Sequence, residues 1–120
     1  MGRIFLVAWN QEEVNARATD LRRAGWQVET EHQDGARAYR LIKTQPPDAV
    51  IIDLSRLPSH GRETAHALRG VKATRQLPII FIDGTGEAVE KTKAKVPGAL
   101  FTNSSGLLRT LSDLRSRRAV

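Results

Sequence analysis

Four polar residues stand directly after apolar runs of the chain, and they are the residues whose types could do chemistry. Asp53 and Asp83 each close an apolar run, while Asn10 and Asn103 follow two others. A carboxylate can act as a nucleophile or bind a cation. Two carboxylates that lie close together share a proton, recruit a cation or meet a basic side chain. We therefore ask which elements bring these residues together.

Five apolar runs alternate with five helical patterns. Predicted strands cover Arg3–Ala8, Trp26–Glu31, Ala49–Asp53, Ile79–Ile82 and Ala99–Thr102. Three of them are continuously apolar, which is typical of parallel strands covered on both faces. Regular alternation with short connections predicts a single doubly wound α/β domain over residues 1–120. In such sheets functional residues collect where the strands end.

Capping residues and helical spacing predict where the helices lie. Asn10, with Glu13 three residues on, reads as a capping box. The polar stretch Leu54–Gly61 is predicted to be a loop. Helices are predicted to begin after Asn10, after Asp34, near Arg62, near Glu87 and after a cap at Ser104 or Ser105.

The amino-acid composition excludes several kinds of site and leaves two interpretations of the net charge. The chain has 120 residues and no cysteine, which excludes disulfides and thiolate metal sites. No apolar run approaches the roughly 20 residues of a membrane span, and we expect a cytoplasmic protein. The net charge of +6 is uneven, since residues 1–60 hold 8 Lys+Arg against 8 Asp+Glu and residues 61–120 hold 11 against 5. A solvated basic surface and a binding surface for an anionic partner both fit this excess.

One segment carries a family resemblance. Asp48-Ala49-Val50-Ile51-Ile52-Asp53, with Gly61 eight residues later, resembles the "PD-hydrophobic-D…P…G" segment of response-regulator receiver domains, the CheY-like superfamily. Pro78 and Gly98-Ala99 also fit, and the resemblance runs from Arg3 to about Leu114. It implies a flavodoxin-like (βα)5 fold with strand order 2-1-3-4-5. It also places Asp53 at the position that is phosphorylated in the family.

The sequence departs from the family around that aspartate. Trp9 and Asn10 stand where receivers carry two acidic residues that help hold Mg²⁺. Asp83 replaces a Thr or Ser, and Asn103-Ser104 replaces a Lys-Pro pair. Each lost transition-state contact of this kind costs on the order of 10²–10³ in rate. The resemblance therefore implies a degenerate pseudo-receiver: a stand-alone, non-enzymatic signalling module of a two-component or phosphorelay pathway, without a cofactor, that acts by protein–protein interaction.

Alternatives remain open around Asp53. It could be a genuine phosphoacceptor with slow, metal-poor chemistry, or a structural carboxylate that pairs with Arg56 or loop N–H groups. Asp53 and Asp83 could hold a weak divalent cation with the Asn10 carbonyl oxygen, although turn chemistry is the preferred reading of Asp83. His60 could donate a hydrogen bond to Asp53. Trp9 could plug the pocket or serve as an exposed anchor for a partner.

The basic excess predicts a partner surface on the fourth and last helices. Its cations are Lys91, Lys93, Lys95, Arg109 and Arg115. The resemblance implies that the face formed by the fourth helix, fifth strand and fifth helix binds an acidic protein or a second copy of the chain. A basic nucleic-acid-binding accessory domain is the third function considered. Nucleic acid is not favoured, because no recognition helix or aromatic stacking platform accompanies these cations. A membrane partner is not expected.

Overall fold

Five parallel strands form one sheet in the computed structural model, which describes residues 2–118. The strands are β1 (Arg3–Val7), β2 (Gln27–Glu31), β3 (Ala49–Asp53), β4 (Ile79–Ile82) and β5 (Leu100–Thr102). Their order is β2-β1-β3-β4-β5, as predicted, with Val7 opposite Ile52 and Asp53 opposite Ile82. We call the side where all strands end the C-terminal edge of the sheet and the opposite side the N-terminal edge.

Helices return the chain between strands and cover both faces of the sheet. They are α1 (Gln11–Arg23), α2 (Gly35–Thr44), α3 (Pro58–Arg69), α4 (Gly86–Lys95) and α5 (Leu107–Arg118), the last preceded by a 3-10 turn at Ser104–Gly106. One buried cluster packs α1 and α5 against the sheet, and a second packs α2 and α3 against the other face. Burial on both faces explains why the central strands are continuously apolar.

Helix α3 begins at Pro58, four residues before the predicted start near Arg62. Proline is favourable at the first helical position, because its fixed φ suits the helix and its missing N–H needs no partner there. The second half of the predicted loop Leu54–Gly61 is thus the first turn of a helix. Gly61 lies inside it, where an added Cβ would come within 2.6 Å of Ile52 Cγ2. This glycine lets α3 approach β3 closely.

The cap of the last helix also differs from the prediction. Asn103, rather than Ser104 or Ser105, accepts a hydrogen bond from the Gly106 N–H at 2.8 Å. Ser105 Oγ donates to the same Asn103 oxygen. Ser104 is directed elsewhere, because Asp83 engages it. Across residues 2–118, no helix combines the length and apolar character that crossing a membrane requires.

Candidate functional site

Asp53 ends β3 at the C-terminal edge and is only 3% exposed. Its Oδ1 accepts two hydrogen bonds from Ser55, one from the backbone N–H at 2.7 Å and one from Oγ at 2.5 Å. A buried carboxylate is costly unless hydrogen-bonded or paired, and Ser55 supplies the first of these compensations. The loop N–H contact that the sequence allows for Asp53 is therefore present.

Asp83 follows β4, the strand next to β3, and adopts a left-handed backbone with φ of 57°. Aspartate tolerates this conformation better than most residues, which agrees with the predicted turn. Its Oδ1 accepts a hydrogen bond from the Ser104 N–H at 2.8 Å, and its Oδ2 accepts one from Ser104 Oγ. Asp83 thus ties the end of β4 to the segment after β5, in addition to making the turn.

Arg17 on α1 reaches both carboxylates. Its Nη2 lies 3.5 Å from Asp83 Oδ2 and 3.9 Å from Asp53 Oδ2. The arginine side chain is 21% exposed, so these contacts are only partly screened by water. Arg17 Nε is buried and has no hydrogen-bond partner among the described residues. A single guanidinium therefore supplies the positive charge between the two carboxylates.

Sequence analysis missed Arg17, although its spacing contained the necessary signal. Val14 and Leu21 face the core from α1, and Arg17 lies three residues after the first and four before the second. These spacings place Arg17 on nearly the same helix face as the buried residues. A cation beside an inward-facing helical stripe needs an anionic partner at the sheet, and Asp53 and Asp83 are that partner.

Trp9 and Asn10, which stand where metal carboxylates would be expected, are engaged in packing and capping. Trp9 is half-buried, and its ring meets His60 edge-on at a centroid distance of 5.5 Å. Trp9 Nε1 is buried without a hydrogen-bond partner among the described residues. Asn10 Oδ1 accepts the Glu13 N–H at 3.0 Å and caps α1. The tryptophan therefore packs beside the first turn of α3, and the asparagine side chain is used by the helix.

Arg56 pairs with Glu13 and makes no hydrogen bond or ion pair with Asp53. Its Nη2 lies 2.8 Å from Glu13 Oε2, and its Nε donates to both oxygens of that carboxylate. Hydrogen bonding to Glu13 raises the pKa of the Arg56 guanidinium. The Glu13 carboxylate thereby contacts Arg56, so only the Asn10 half of the predicted capping box is formed. The predicted Arg56–Asp53 pair is replaced by Arg17–Asp53.

His60 and Asn103, the remaining residues considered near Asp53, do not contact its carboxylate. His60 is exposed and contacts Trp9, while Asn103 caps the turn before α5. The structure therefore brings Asp53 and Asp83 together around Arg17 and assigns the other predicted pocket residues to neighbouring structural roles.

The predicted partner surface is largely charge-paired on α4. Lys91 pairs with Glu87, Lys93 with Glu90 and Lys95 with Glu63, at distances of 2.9, 3.9 and 2.6 Å. Arg109 is exposed near the start of α5. Arg115 lies over the ring of Trp26, 5.6 Å from its centroid, at the N-terminal edge. Its predicted place on the face with α4 is therefore wrong, because α5 turns this side chain toward the segment before β2.

A divalent cation beside Asp53 and Asp83 would need several converging oxygen ligands. Among residues 2–118, no three His, Cys, Asp or Glu side chains converge as a metal site would require. Trp9 offers no oxygen ligand, the Asn10 amide oxygen is used by Glu13, and Arg17 brings a positive charge to the carboxylates. Magnesium prefers several oxygen ligands in octahedral geometry. The residues present do not fit such an ion.

Comparison with known proteins gives a consistent picture of the fold. No family model and no curated protein matches the chain. Among solved structures, the receiver domain of sensor histidine kinase PA1611 from Pseudomonas aeruginosa PAO1 is 26% identical, with a TM-score of 0.75 over 94% of this chain and 96% of that one. That domain holds a magnesium ion in its active-site cleft.

Two further receiver structures align over nearly the whole chain. A response-regulator receiver domain from Bermanella marisrubri is 26% identical, with a TM-score of 0.77 over 93% of this chain and 96% of that one. Chemotaxis response regulator CheY4 of Vibrio cholerae is 24% identical, with a TM-score of 0.79 over 95% and 98% of the two chains. The sheet order and the five helices agree with these structures.

Proposed function

We propose that this chain, which has the fold of a response-regulator receiver domain, is a degenerate receiver that signals through protein contacts rather than through phosphorylation of Asp53. The observation that carries this proposal is the position of Arg17, whose guanidinium lies within ion-pair distance of both Asp53 and Asp83. The module would belong to a two-component or phosphorelay pathway in the cytoplasm.

The environment of Asp53 disfavours nucleophilic attack. A carboxylate oxygen that attacks a phosphorus atom must be accessible and free to form a bond. Asp53 is 3% exposed, and its Oδ1 is held by both hydrogen-bonding groups of Ser55. Its Oδ2 faces Arg17. Attack would have to displace one of these contacts before the reaction could begin.

The charges around Asp53 also disfavour its phosphorylation. Phosphoryl transfer to a carboxylate brings two anions together, and metal ions and cationic side chains provide the compensating charge. Among the described residues, Arg17 is the cation within ion-pair distance of Asp53, and its guanidinium is shared with Asp83. A phosphoryl group on Asp53 would meet the Asp83 carboxylate on the neighbouring strand, so the product would be electrostatically disfavoured.

The face formed by α4, β5 and α5 offers a surface for a protein partner. On this face Lys93 of α4 lies over the half-buried ring of Phe101 on β5, 5.6 Å from the ring centroid. Exposed apolar area beside cations suits a partner that combines an apolar anchor with acidic residues. Because the α4 lysines already have glutamate partners, this apolar area is expected to contribute more than net charge.

A slow phosphoacceptor is the alternative that the site still supports. Arg17 could move with the transferred group and neutralise part of its charge, since its Nε has no hydrogen-bond partner among the described residues. Such chemistry would be metal-independent. It differs from the leading proposal in its product, a phosphorylated Asp53.

The two functions are separated by intact-mass measurement after incubation with acetyl phosphate and Mg²⁺. We expect the wild-type mass to remain unchanged over hours. Asp53→Asn controls for modification at other residues, and a receiver domain known to be phosphorylated controls for the reagent. Stoichiometric addition of one phosphoryl group within minutes, absent in Asp53→Asn, would overturn the proposal.

A further inference from the structure

Unpaired positive charge collects at the N-terminal edge of the sheet, opposite Asp53. Helices α1, α2, α3 and α5 all run back toward this edge, so the basic residues in and after their last turns meet there. Six exposed cations near it make no ion pair with a described carboxylate. We call them the basal cations: Arg22, Arg40, Lys43, Lys72, Arg75 and Arg115.

The position of these residues follows from their neighbours. Arg22 Nη2 donates to the Val28 carbonyl near the start of β2, and Arg115 lies over Trp26. Lys72 and Arg75 belong to the connection between α3 and β4, and half-buried Arg69 donates to the Leu77 and Pro97 carbonyls beneath them. The basal cations therefore surround one edge of a domain that measures 32 × 30 × 26 Å.

Carboxylates near this edge are already engaged, which leaves the basal cations unneutralised. Glu29 pairs with Arg3, Asp48 accepts the Arg3 N–H, and Asp20 pairs with Arg23. By contrast, the three α4 lysines that the sequence singles out all have glutamate partners. Much of the net charge of +6 is thus expressed at the N-terminal edge rather than on α4.

We propose that the basal cations form a binding surface for the phosphate backbone of nucleic acid. Four of the six are arginines, whose planar guanidinium groups suit phosphate oxygens better than point charges do. The cations come from the ends of several helices around one edge of a domain about 30 Å across, a scale on which a duplex presents roughly nine base pairs at 3.4 Å each. Binding is expected to be independent of base sequence, because no element here enters a groove.

The chemistry of the edge favours nucleic acid over the other anionic partners. A protein interface normally has an apolar or aromatic centre, and a membrane-binding face inserts apolar side chains. Among the described large apolar residues near this edge, Leu41 alone is exposed, at 37%. Trp26, 8% exposed beneath Arg115, lines a recess with Leu111 and Leu114, so the apolar area lies below the cations rather than beside them on the surface. Sequence analysis disfavours nucleic acid because no recognition helix or aromatic stacking platform accompanies the cations, but contacts to phosphates alone need neither. This second surface is distinct from the α4–β5–α5 face.

Fluorescence anisotropy with a labelled mixed-sequence DNA duplex of about 30 base pairs tests this surface. We expect wild-type binding at low salt, with affinity that falls steeply as salt rises. The triple variant Arg40→Gln/Lys43→Gln/Arg75→Gln should bind at least about tenfold more weakly and reduce the slope of log K against log salt by about 2.7, if each cation contacts one phosphate.

The matched control is Lys91→Gln/Lys93→Gln/Lys95→Gln, which removes the same charge from paired lysines. Its affinity should change by no more than about threefold, because the interaction follows local phosphate contacts rather than total charge. Circular dichroism and thermal melting establish that both variants are folded. If the basal triple variant unfolds, Arg40→Gln/Lys43→Gln, confined to exposed positions of one helix, takes its place.

Three results would overturn the inference. The first is that the wild type does not bind the duplex at low salt. The second is that the basal triple variant and Lys91→Gln/Lys93→Gln/Lys95→Gln lose duplex affinity equally. The third is binding to a polyglutamate peptide or to phosphatidylserine vesicles with higher affinity than to the duplex. These results are independent of Asp53 phosphorylation, so the two proposals fail separately.

Discussion

Arg17 on α1 and Asp83 after β4, 66 residues apart in sequence, meet with 3.5 Å between the guanidinium Nη2 and the carboxylate Oδ2. Asp53 lies 3.9 Å from the same nitrogen. A helix that covers one face of the sheet thus contributes a cation to the C-terminal edge, where the strands supply two anions. This arrangement links α1, β3 and β4 through one guanidinium.

Removing the Arg17 charge should destabilise the domain. Arg17→Met keeps a long side chain but leaves two neighbouring carboxylates without their cation, and breaking a buried pair typically costs about 3–5 kcal/mol. Because Arg17 is 21% exposed, we expect a smaller loss, about 1–3 kcal/mol, measured by urea unfolding. Arg56→Met removes an exposed pair with Glu13 and should change the free energy of unfolding much less than Arg17→Met does. Equal losses in the two variants would contradict the role of Arg17.

The cap before α5 gives a second prediction. Asn103→Ala removes the acceptor of the Gly106 N–H and should cost about 1 kcal/mol of unfolding free energy. Ser105→Ala, the matched control, removes only an exposed hydroxyl and should stay within about 0.5 kcal/mol of wild type. A larger loss in Ser105→Ala than in Asn103→Ala would restore the sequence-based assignment of the cap to a serine.

The backbone conformation of Leu57 predicts that asparagine is favoured over alanine at this position. This residue precedes α3 with φ of 45°, a left-handed conformation, and is 53% exposed. Asparagine tolerates a left-handed backbone better than leucine or alanine does, because its short polar side chain can hydrogen-bond locally. Little packing is lost at this exposed position. We expect Leu57→Asn to be more stable than Leu57→Ala by about 0.5–1 kcal/mol in urea unfolding.

Leu108 provides the control for Leu57, because it is 48% exposed in ordinary helical geometry. Leu108→Asn should be less stable than Leu108→Ala, since asparagine has the lower helix propensity. The same order of stability at both positions would mean that the left-handed backbone of Leu57 has no influence.

The Glu31 carboxyl at the end of β2 should make the stability of the domain depend on pH. Burial by itself raises the pKa of this carboxyl, but N–H donors from Gln33 and Asp34 and the Arg37 guanidinium outweigh burial, so the pKa lies below 4.5. A depressed carboxyl pKa stabilises the fold above the unfolded pKa, and this stabilisation is lost as pH falls through the folded value.

Glu31→Gln measures that contribution. At about pH 7 the variant should be less stable by about 1–3 kcal/mol, because the buried donors lose a charged acceptor. The difference from wild type should be smaller at about pH 3, because the stabilisation is lost progressively as pH falls from the unfolded pKa through the lowered folded pKa. Urea unfolding at both pH values measures it. A difference that does not change with pH would indicate a packing effect instead.

The strands and the core were predictable because they depend on local patterns, whereas the strand order was implied by the resemblance to receiver domains. Continuous apolar runs such as Val50–Ile52 identify strands buried on both faces, and the spacing of Val14, Ala18 and Leu21 identifies the inner face of α1. The start of α3 was missed because Pro58 reads equally as a loop residue and as a first helical residue. Only the packing of Gly61 against Ile52 distinguishes the two.

The site was only half predictable for a different reason. Asp53 and Asp83 follow strands, so topology alone brings them to neighbouring positions. The spacing of Arg17 from Val14 and Leu21 indicates which helix face it occupies, but which carboxylates it reaches depends on how the elements pack. Arg56 lies only three residues after Asp53 in sequence, but it contacts Glu13, whereas Arg17 approaches from α1. Long-range ion pairs of this kind become visible only in three dimensions.

Divalent-cation binding tests most directly whether Arg17 holds the place of a metal ion. Mn²⁺ prefers the same carboxylate oxygens as Mg²⁺, and its paramagnetism broadens the NMR signals of nearby amides. Titrating Mn²⁺ into wild-type protein should leave the amides of Asp53 and Asp83 sharp, whereas in Arg17→Met those amides should broaden first. Selective broadening at Asp53 and Asp83 in the wild type, equal to that in Arg17→Met, would contradict the account.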